Sequence, residues 1–517
     1  MNRRFLPTVA AVLCAITFGA TNVLALQDGL ARTPPMGFNT WNYFGCRNAS
    51  RRVDENMIKQ IADAFISKGM AEVGYEYVNI DDCWAQGTRD ARGGLAADPQ
   101  YFPNGMRAIA DYVHSKGLKF GLYTDVGTST CATCYGTGGL PGMLNHEQQD
   151  CDTFVAWGVD YLKIDFCCHD NRPAVQQYTK VRDCLRAAVT RMKDKVPDAH
   201  PIVYSICNWG EQEPWKWGDT VGHLWRTTRD ISNQYGSQMD NLDKNTPLWP
   251  YARIGAWNDP DMLEVGYGDF ATNYARARTH FALWCMSAAP LLAGNDIRSM
   301  STQIQEILIN KDAIDINQDT LGGDTTMGII QGRKVVSGNS EVWVKLLKGQ
   351  TSSEYAVMLF NRSNNSPVTI SVTTDQIKSI GGDMKNGNKY EVRDVWGKRD
   401  LEDWTAGGTF TSPEPVGVND VFMARLKIPP VKVISQYTCV NVCPMDVQSE
   451  GERIVIRSKT TGPMGIRIVN LKGEVAYSNQ MIAPLDYSIS TKGMARGMYV
   501  VDVINGMEQF RQKIYLK

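Results

Sequence analysis

Eight strand-like apolar runs, most of them followed by a helical pattern, recur over roughly 290 residues after position 34. Apolar runs of this kind are typical of parallel strands buried on both faces, and their alternation with helices is typical of an α/β fold. Eight units predict a (β/α)8 barrel. An open doubly wound sheet is disfavoured because no G-x-G-x-x-G turn follows the first run. The predicted strands are 36–44, 75–80, 119–123, 159–164, 202–206, 223–225, 253–256 and 290–293, with helices at 54–68, 106–116, 146–157, 174–195 and 271–286.

The chain continues well beyond the barrel, which we assign to residues 26–325. At 517 residues it is too long for one ordinary domain. Short alternating runs separated by polar and glycine-containing turns predict an antiparallel β-sandwich over 326–428. Pro429-Pro430 marks a linker, and residues 431–517 are predicted to form a small C-terminal β domain.

Residues 1–25 have the layout of a cleavable secretory signal peptide. Arg3 and Arg4 precede an apolar run over 5–17, and we expect cleavage near Ala25. The run is short for a membrane span and no basic stop-transfer cluster follows it. Lipidation of Cys14 is disfavoured because this residue lies inside the apolar run. We expect a secreted or periplasmic protein, with the cell surface as an alternative, and no membrane span.

Composition excludes several classes of function. The formal net charge of −1 gives no electrostatic reason to expect nucleic acid as a partner. The six histidines form no metal-binding pattern, so we predict neither a metal nor any other cofactor. Of the 13 cysteines, all but Cys14 would remain after cleavage, and in an exported protein they would be oxidised where geometry allows. The oligomeric state cannot be predicted.

Polar side chains gather where the predicted strands end. Lys163 and Asp165 stand at the end of the fourth run, at the edge where β/α barrels place their chemistry. A structural Asp165 that caps the next helix is the alternative. Taken together, the strand ends offer carboxylates, two cations and aromatic rings but no histidine: Asp81, Asp82, Asp125, Asp165, Asp230, Asp261, Lys163, Arg226, Trp41, Trp84, Tyr123, Trp209 and Trp257.

This set of side chains suits a sugar, because carboxylates accept hydrogen bonds from vicinal hydroxyls and aromatic faces stack on the C–H face of the ring. Two carboxyl groups across a sugar are the minimum for glycoside hydrolysis. Asp165 and Asp230 come from different strand ends, and Lys163 is expected to keep Asp165 ionised. The residues alone do not choose between the two catalytic roles.

Six motifs, one at each of six strand ends, resemble glycoside hydrolase family 27, the α-galactosidase and α-N-acetylgalactosaminidase family. The resemblance covers residue 34 to about residue 425. The motifs are Pro35–Trp41, Asn79–Trp84, Gly121–Gly127, Tyr161–Asp165, Trp225-Arg226 with Asp230, and Trp257–Met262.

The resemblance implies a retaining double displacement with Asp165 as nucleophile and Asp230 as acid/base. It assigns the sugar hydroxyls at C4 and C6 to Asp81 and Asp82, those at C2 and C3 to Lys163 and Asp261 with Arg226 alongside, and the pocket walls to Trp41, Tyr123 and Trp257. It also implies the disulfides Cys46–Cys83 and Cys131–Cys167. Cys134 and Cys168 could pair with each other, or Cys168 could be a buried thiol; Cys151, Cys184, Cys207, Cys285, Cys439 and Cys443 are left unassigned.

Specificity depends on fewer residues. The pair Asp81-Asp82 fits galactose, whereas a larger acid there would favour a pentose such as β-L-arabinopyranose. Around the C2 substituent, Cys207-Asn208-Trp209 resembles the plant and fungal α-galactosidases, and the bulk of Trp209 favours a free 2-hydroxyl. We therefore expect an α-galactosidase acting on terminal α-linked galactose of oligo- or polysaccharides. An α-N-acetylgalactosaminidase or a β-L-arabinopyranosidase is the alternative within the family.

Two further alternatives concern the whole chain and its last region. A non-catalytic galactose-binding protein on the same barrel is disfavoured because both predicted catalytic carboxylates are present, and a barrel of calcium-binding Asp residues would need a denser oxygen cage. The end of the chain, with Gly497–Val501 and a basic-apolar terminus over 513–517, looks like the sorting domains of Bacteroidetes secretion systems. A carbohydrate-binding or spacer module fits the same residues.

Overall fold

The computed structural model describes residues 26, 28–46, 48–134, 139–321, 330–348, 354–429, 445–450, 452–458, 462–470, 474–483, 486–505 and 508–516. The predicted signal peptide with its cleavage site, Pro430 of the predicted linker, and Cys439 and Cys443 lie outside these described residues. The chain divides into two compact units, Met1–Pro430 and Val431–Lys517.

Eight parallel strands form the barrel, which confirms the predicted fold class. They are β1 (Met36–Asn39), β2 (Tyr77–Asn79), β3 (Lys119–Asp125), β4 (Tyr161–Asp165), β5 (Val203–Cys207), β6 (Leu224–Arg226), β7 (Trp257–Asp259) and β8 (Leu291–Ala293). Their order in the sheet is β7-β6-β5-β4-β3-β2-β1-β8. Leu263 follows β7 and forms a parallel bridge with Ala293 of β8, which closes the ring.

The helices surround these strands. They are α1 (Trp41–Phe44), α2 (Glu55–Ser67), α3 (Gly105–Ser115), α4 (Cys131–Cys134), α5 (Glu147–Ala156), α6 (Ala174–Met192), α7 (Tyr235–Asn245), α8 (Tyr274–Met286), α9 (Thr302–Leu308) and α10 (Lys311–Gln318). In α2 the Asp54 carboxylate caps the helix by accepting from the Met57 amide, and Ile58, Ile61 and Phe65 are fully buried on one face. In the described parts of the chain, no helix has both the length and the apolarity of a membrane span.

The strand predicted at 253–256 is wrong. Arg253 and Ala256 exchange two backbone hydrogen bonds, of 2.8 and 2.9 Å, and form a tight turn. The seventh strand begins only at Trp257. Trp257 therefore opens its strand instead of following it, which places this residue at the amino-terminal end of the barrel.

The β-sandwich packs against the barrel within the first unit. Its strands are β9 (Arg333–Val336), β10 (Ser340–Leu347), β11 (Glu354–Asn361), β12 (Ser371–Thr373), β13 (Lys389–Asp394), β14 (Arg399–Thr405), β15 (Thr409–Thr411) and β16 (Asp420–Lys427), with helix α11 (Thr374–Lys378) between β12 and β13. A six-stranded sheet of order β14-β13-β16-β11-β10-β9 faces the small sheet β12-β15. Val342 and Val344 pack inside the sandwich, whereas Trp343 joins the barrel core, so β10 is buried on both faces.

The second unit contains two antiparallel sheets around a core of its own. Its strands are β17 (Met445–Glu450), β18 (Arg453–Ser458), β19 (Gly462–Asn470), β20 (Val475–Ala483), β21 (Asp486–Ser490), β22 (Gly497–Asn505) and β23 (Glu508–Leu516). The sheet orders are β17-β18-β21 and β20-β19-β22-β23. Ile454, Ile468 and Val501 are fully buried between them.

Lys345 on β10 gives the interface between barrel and sandwich a measurable pH dependence. Its side chain is fully buried, and Nζ donates to the carbonyls of Ile316 and Asn317 at the end of α10. Burial lowers the pKa of Lys345 to about 8. Since the unfolded chain then binds the proton more tightly than the native state between pH 8 and the ordinary lysine pKa, stability should increase with pH across this range.

We predict that the free energy of unfolding of the wild type will rise by about 2 kcal/mol relative to Lys345→Met between pH 7.5 and 9.5. Urea denaturation of both proteins at several pH values measures the difference. Parallel curves for the two proteins would contradict the argument.

Candidate functional site

A cavity of ≈ 270 Å³ lies at the carboxyl ends of the barrel strands. Its size is near the lower end of the range for ligand pockets. The lining residues are Trp41, Asn42, Cys46, Asp81, Asp82, Tyr123, Cys131, Ala132, Lys163, Asp165, Trp209, Arg226, Asp230, Asp261 and Met262. The cavity therefore brings together both predicted catalytic carboxylates and all predicted substrate-binding residues except Cys207 and Trp257.

Lys163 neutralises one side of the cavity. Its Nζ donates to Oδ2 of Asp81 at 2.9 Å and lies 5.3 Å from the centre of the Tyr123 ring. Asp81 is buried, and its Oδ2 also accepts from Nδ2 of Asn39 at 2.7 Å. Although burial alone would lower the pKa of Lys163, Asp81 and Asp165 hold it well above the ordinary value. The lysine is therefore a fixed positive charge.

Arg226, on β6, is the second cation that lines the cavity. Its guanidinium is almost fully buried, and Nη2 lies 2.8 Å from Oδ2 of Asp261 and 3.1 Å from Oδ1 of Asp230. The Asp261 carboxylate also accepts from the amides of Ile231 and Met262, each at 2.8 Å. Asp261 has a left-handed backbone with φ of +89°, which is unusual for a residue other than glycine. These contacts hold Asp261 in a strained but fixed position.

Asp165 is the last residue of β4 and is buried at the cavity floor. Its Oδ1 has no hydrogen-bond partner among the residues that the structure describes, and Oδ2 lies 3.1 Å from Sγ of Cys131. Burial raises the pKa of Asp165 to about 6 even though Lys163 lowers it. Lys163 therefore opposes the effect of burial on the pKa of Asp165, and burial has the larger effect. At pH 7 the carboxylate is still ionised in about nine molecules out of ten.

Asp230 has a different environment. Its side chain is 63% exposed at the cavity mouth and pairs with Arg226. Although burial of part of the group opposes ionisation, Arg226 and Lys163 hold the pKa of Asp230 below its ordinary value. The two carboxyl groups thus differ in exposure and in the direction of their pKa shifts.

Asp82 lines the cavity next to Asp81, and two backbone amides donate to its carboxylate. Its Oδ1 accepts from the Cys83 amide at 2.6 Å, and its Oδ2 accepts from the Ala132 amide at 3.0 Å. Burial raises the pKa of Asp82 above its ordinary value, with a further contribution from Asp81. These two hydrogen bonds fix the orientation of the Asp82 carboxylate.

Three disulfides join the loops near the carboxyl ends of the strands, and two of them contribute a cysteine to the cavity lining. Cys46–Cys83 and Cys131–Cys167, the two pairs that the resemblance implied, are bonded in the structure. Cys134–Cys168 is bonded as well, which is the first of the two possibilities left open for these residues. Cys151, Cys184, Cys207 and Cys285 are buried free thiols. Asp125, Cys131 and Cys167 lie close together, but both sulfur atoms belong to the disulfide and offer no thiolate to a metal.

Two predicted substrate contacts need correction. Trp257 is fully buried at the amino-terminal end of the barrel, where its Nε1 donates to the Ala31 carbonyl at 2.7 Å, so it does not wall the pocket. Cys207 ends β5 but is buried behind the cavity, with its Sγ 3.7 Å from Nη1 of Arg226. Cys207 therefore packs against a pocket residue and does not line the cavity itself.

Asn42, Ala132 and Met262 also line the cavity, although none of them was predicted as a site residue from the sequence. Asn42 and Met262 directly follow Trp41 and Asp261, so the motif ends could have suggested them. Ala132 acts through its backbone amide, which a residue type cannot indicate. Asn42 Nδ2 donates to Oε1 of the buried Glu264.

Comparisons with known proteins give matches over the barrel and the sandwich. The family model described as "Alpha galactosidase A" matches residues 33–319, and the model described as "Alpha galactosidase C-terminal beta sandwich domain" matches residues 337–426. The chain is 44% identical over 373 residues to an α-galactosidase of Oryza sativa subsp. japonica, covering 72% of this chain and 80% of that protein. It is 37% identical over 403 residues to the α-N-acetylgalactosaminidase of Gallus gallus, covering 75% and 92%. The crystal structure of α-galactosidase I from Mortierella vinacea matches with a TM-score of 0.68 at 30% identity, covering 77% and 98%.

The raised pKa of Asp165 predicts a stability cost at neutral pH. Because the native state binds the proton more tightly than the unfolded chain between about pH 4 and 6, the cost is absent at pH 4 and complete above pH 6. Asp165→Asn, which cannot ionise, should increase the free energy of unfolding by up to about 3 kcal/mol at pH 7.5 and not at pH 4.

Urea denaturation of Asp165→Asn at both pH values measures this effect. Asp230→Asn is the matched control, because the pKa of Asp230 shifts in the opposite direction and its replacement should give no gain at pH 7.5. An equal gain in the two variants would contradict the assignment.

Proposed function

The chain belongs to glycoside hydrolase family 27, the melibiase family, and from this membership we propose that it is a retaining α-galactosidase. It would release terminal α-D-galactosyl residues from the non-reducing ends of oligo- or polysaccharides by double displacement. Family membership makes the chain a glycoside hydrolase. We propose in addition its substrate, its mechanism and the roles of its individual residues.

The observation that carries the proposal is the contrast between the two catalytic carboxyl groups. Asp165 is buried with one oxygen free of hydrogen bonds among the described residues, which suits a nucleophile aimed at a bound sugar. Asp230 is exposed at the mouth, where a leaving group would depart and water would enter. Retaining glycosidases need this pair, one group as nucleophile and the other as acid/base.

In the first step, an Asp165 oxygen would attack the anomeric carbon and form a covalent β-galactosyl ester. Asp230 would donate its proton to the glycosidic oxygen as the bond from that oxygen to the anomeric carbon breaks. In the second step, Asp230 would take a proton from water, whose oxygen attacks the same carbon and releases Asp165. The second inversion restores the α configuration in the product.

Substrate recognition would follow the fixed charges around the cavity. Asp81 and Asp82 would accept from the hydroxyls at C4 and C6, and Lys163, Arg226 and Asp261 would bind those at C2 and C3. Trp41, Tyr123 and Trp209 contribute aromatic surface to the lining. Because Trp209 occupies the wall, a free 2-hydroxyl is favoured over an acetamide, which makes α-N-acetylgalactosaminidase activity the second candidate.

We also propose that the protein is exported. Three disulfides in one barrel suit an oxidising compartment, such as the periplasm or the exterior of the cell. The predicted signal peptide would direct this export. Residues 431–517 are proposed to form either a sorting or a spacer domain, and their deletion with unchanged export and surface display would exclude the sorting role.

Hydrolysis of chromogenic glycosides tests the proposed activity. The wild type should cleave an α-galactoside better than the α-N-acetylgalactosaminide or the β-L-arabinopyranoside. Asp165→Ala and Asp230→Ala should both lose activity, by a factor of about 1,000 or more for the nucleophile. Azide should rescue Asp165→Ala and give the β-galactosyl azide. Preference for another glycoside would contradict the specificity that we infer from Trp209 and from Asp81-Asp82. A folded wild type without any activity would favour a galactose-binding protein without catalytic function.

The pKa directions predict the pH profile of kcat/KM. Catalysis needs an ionised Asp165 and a protonated Asp230, yet the pKa of Asp165 is about 6 and that of Asp230 lies below its ordinary value. Above pH 6 neither group holds a proton for the leaving oxygen, and below the pKa of Asp230 both groups are protonated. For an alkyl α-galactoside, kcat/KM should therefore fall as the pH rises above about 6, and fall again at pH values below the pKa of Asp230.

A substrate with a leaving group that needs no proton separates the two carboxyl groups. For 2,4-dinitrophenyl α-galactoside, kcat/KM should instead rise through about pH 6 and stay high, because only Asp165 must be ionised. Identical profiles for the two substrates would show that the carboxyl roles are assigned wrongly.

A further inference from the structure

Two disulfides join the same short helix to the same turn. Helix α4 contributes Cys131 and Cys134, and the turn after β4 contributes the neighbouring residues Cys167 and Cys168. The first bridge lies against the cavity floor, because Cys131 Sγ is 3.1 Å from the Asp165 carboxylate. The second bridge lies one helical turn farther along α4, and neither of its cysteines lines the cavity.

Helix α4 also contacts Asp82, one of the acidic residues that line the cavity. Ala132 lies between the two cysteines of α4 and donates its amide to Oδ2 of Asp82 at 3.0 Å. The other oxygen of Asp82 accepts from Cys83, the residue next to it in the chain. The direction of the Asp82 side chain therefore depends on where α4 places the Ala132 amide.

The second bridge adds little to the stability expected from cross-linking. Once Cys131 and Cys167 are joined, joining Cys134 to Cys168 closes only a small additional ring. The entropy that a cross-link removes from the unfolded chain grows with the number of residues in the ring. The main effect of the second bridge should therefore be local, since two attachments prevent α4 from pivoting about the first one.

The turn that contains Cys167 and Cys168 has a strained backbone. Cys168 has a left-handed backbone with φ of +37°, which is disfavoured for a residue with a side chain. Its carbonyl accepts from the Thr128 amide at 3.2 Å, a contact with the same loop that leads into α4. Without the second bridge, relaxation of this turn would move the end of α4.

We propose that the Cys134–Cys168 disulfide positions a part of the site. It fixes α4 so that the Ala132 amide orients the Asp82 carboxylate. The disulfide thereby affects the affinity for the sugar and not the rate of bond cleavage. The link to sugar affinity is based on the proposed function, in which Asp82 accepts hydrogen bonds from the sugar hydroxyls. The link to the position of α4 is independent of the substrate.

The test is the double variant Cys134→Ser/Cys168→Ser, which removes both cysteines of this bridge and so leaves neither of them as a free thiol. Loss of one well-placed hydrogen bond to a carboxylate corresponds to about a tenfold effect, so KM for the α-galactoside should rise by about that factor while kcat stays within about threefold. In an Asp82→Ala background, the same double replacement should change kcat/KM by less than about twofold. Amide hydrogen exchange of the peptide containing Ala132 should accelerate by at least about tenfold in the double variant.

The matched control is Cys151→Ser/Cys184→Ser, which removes two buried sulfurs that are not bridged and lie on α5 and α6. It should change neither KM nor exchange near Ala132. Unchanged exchange near Ala132 in the Cys134→Ser/Cys168→Ser protein would overturn the proposal, and so would an equal loss of kcat/KM with and without Asp82. Wild type that cleaves no test glycoside would refute the proposed function, and the exchange measurement would still decide whether the bridge positions α4.

Discussion

Two cations, the buried Arg226 and the partly buried Lys163, balance the carboxylates at the carboxyl end of this barrel. Without them these carboxylates would repel one another, and burying unpaired charges costs several kcal/mol each. Lys163 pairs with Asp81, and Arg226 pairs with both Asp230 and Asp261. Each cation fixes the direction of the carboxylates that it contacts. The protein's own contacts thus fix the direction of these polar groups.

The barrel supplies this arrangement through simple geometry. Side chains two residues apart on a strand lie on the same face, so Lys163 and Asp165 of β4 both reach the cavity. Parallel strands bring their carboxyl ends to one edge, which gathers residues that are far apart in the sequence. Disulfides then hold the loops beyond that edge, where the strand hydrogen bonds no longer do so.

The sequence was sufficient to predict the barrel, the sandwich and most of the site, because buried strands and their polar ends follow a pattern along the chain. The sequence did not predict where the seventh strand begins. Trp257 was expected to follow this strand, but a tight turn at Arg253 and Ala256 delays the start of the strand to Trp257. The pKa of Asp165 could not be predicted either, since it depends on the balance between burial and Lys163. The contribution of Ala132 is a backbone contact that no residue type reveals.

We propose that Asp165, held beside Lys163, attacks the sugar directly and that the reaction proceeds with retention. Proton NMR of the first turnovers, recorded before the product mutarotates, follows the anomeric signal of the released sugar. The α anomer of galactose should appear first and the β anomer only later. Initial release of the β anomer would mean a single displacement by water, and Asp165 would then not be the nucleophile.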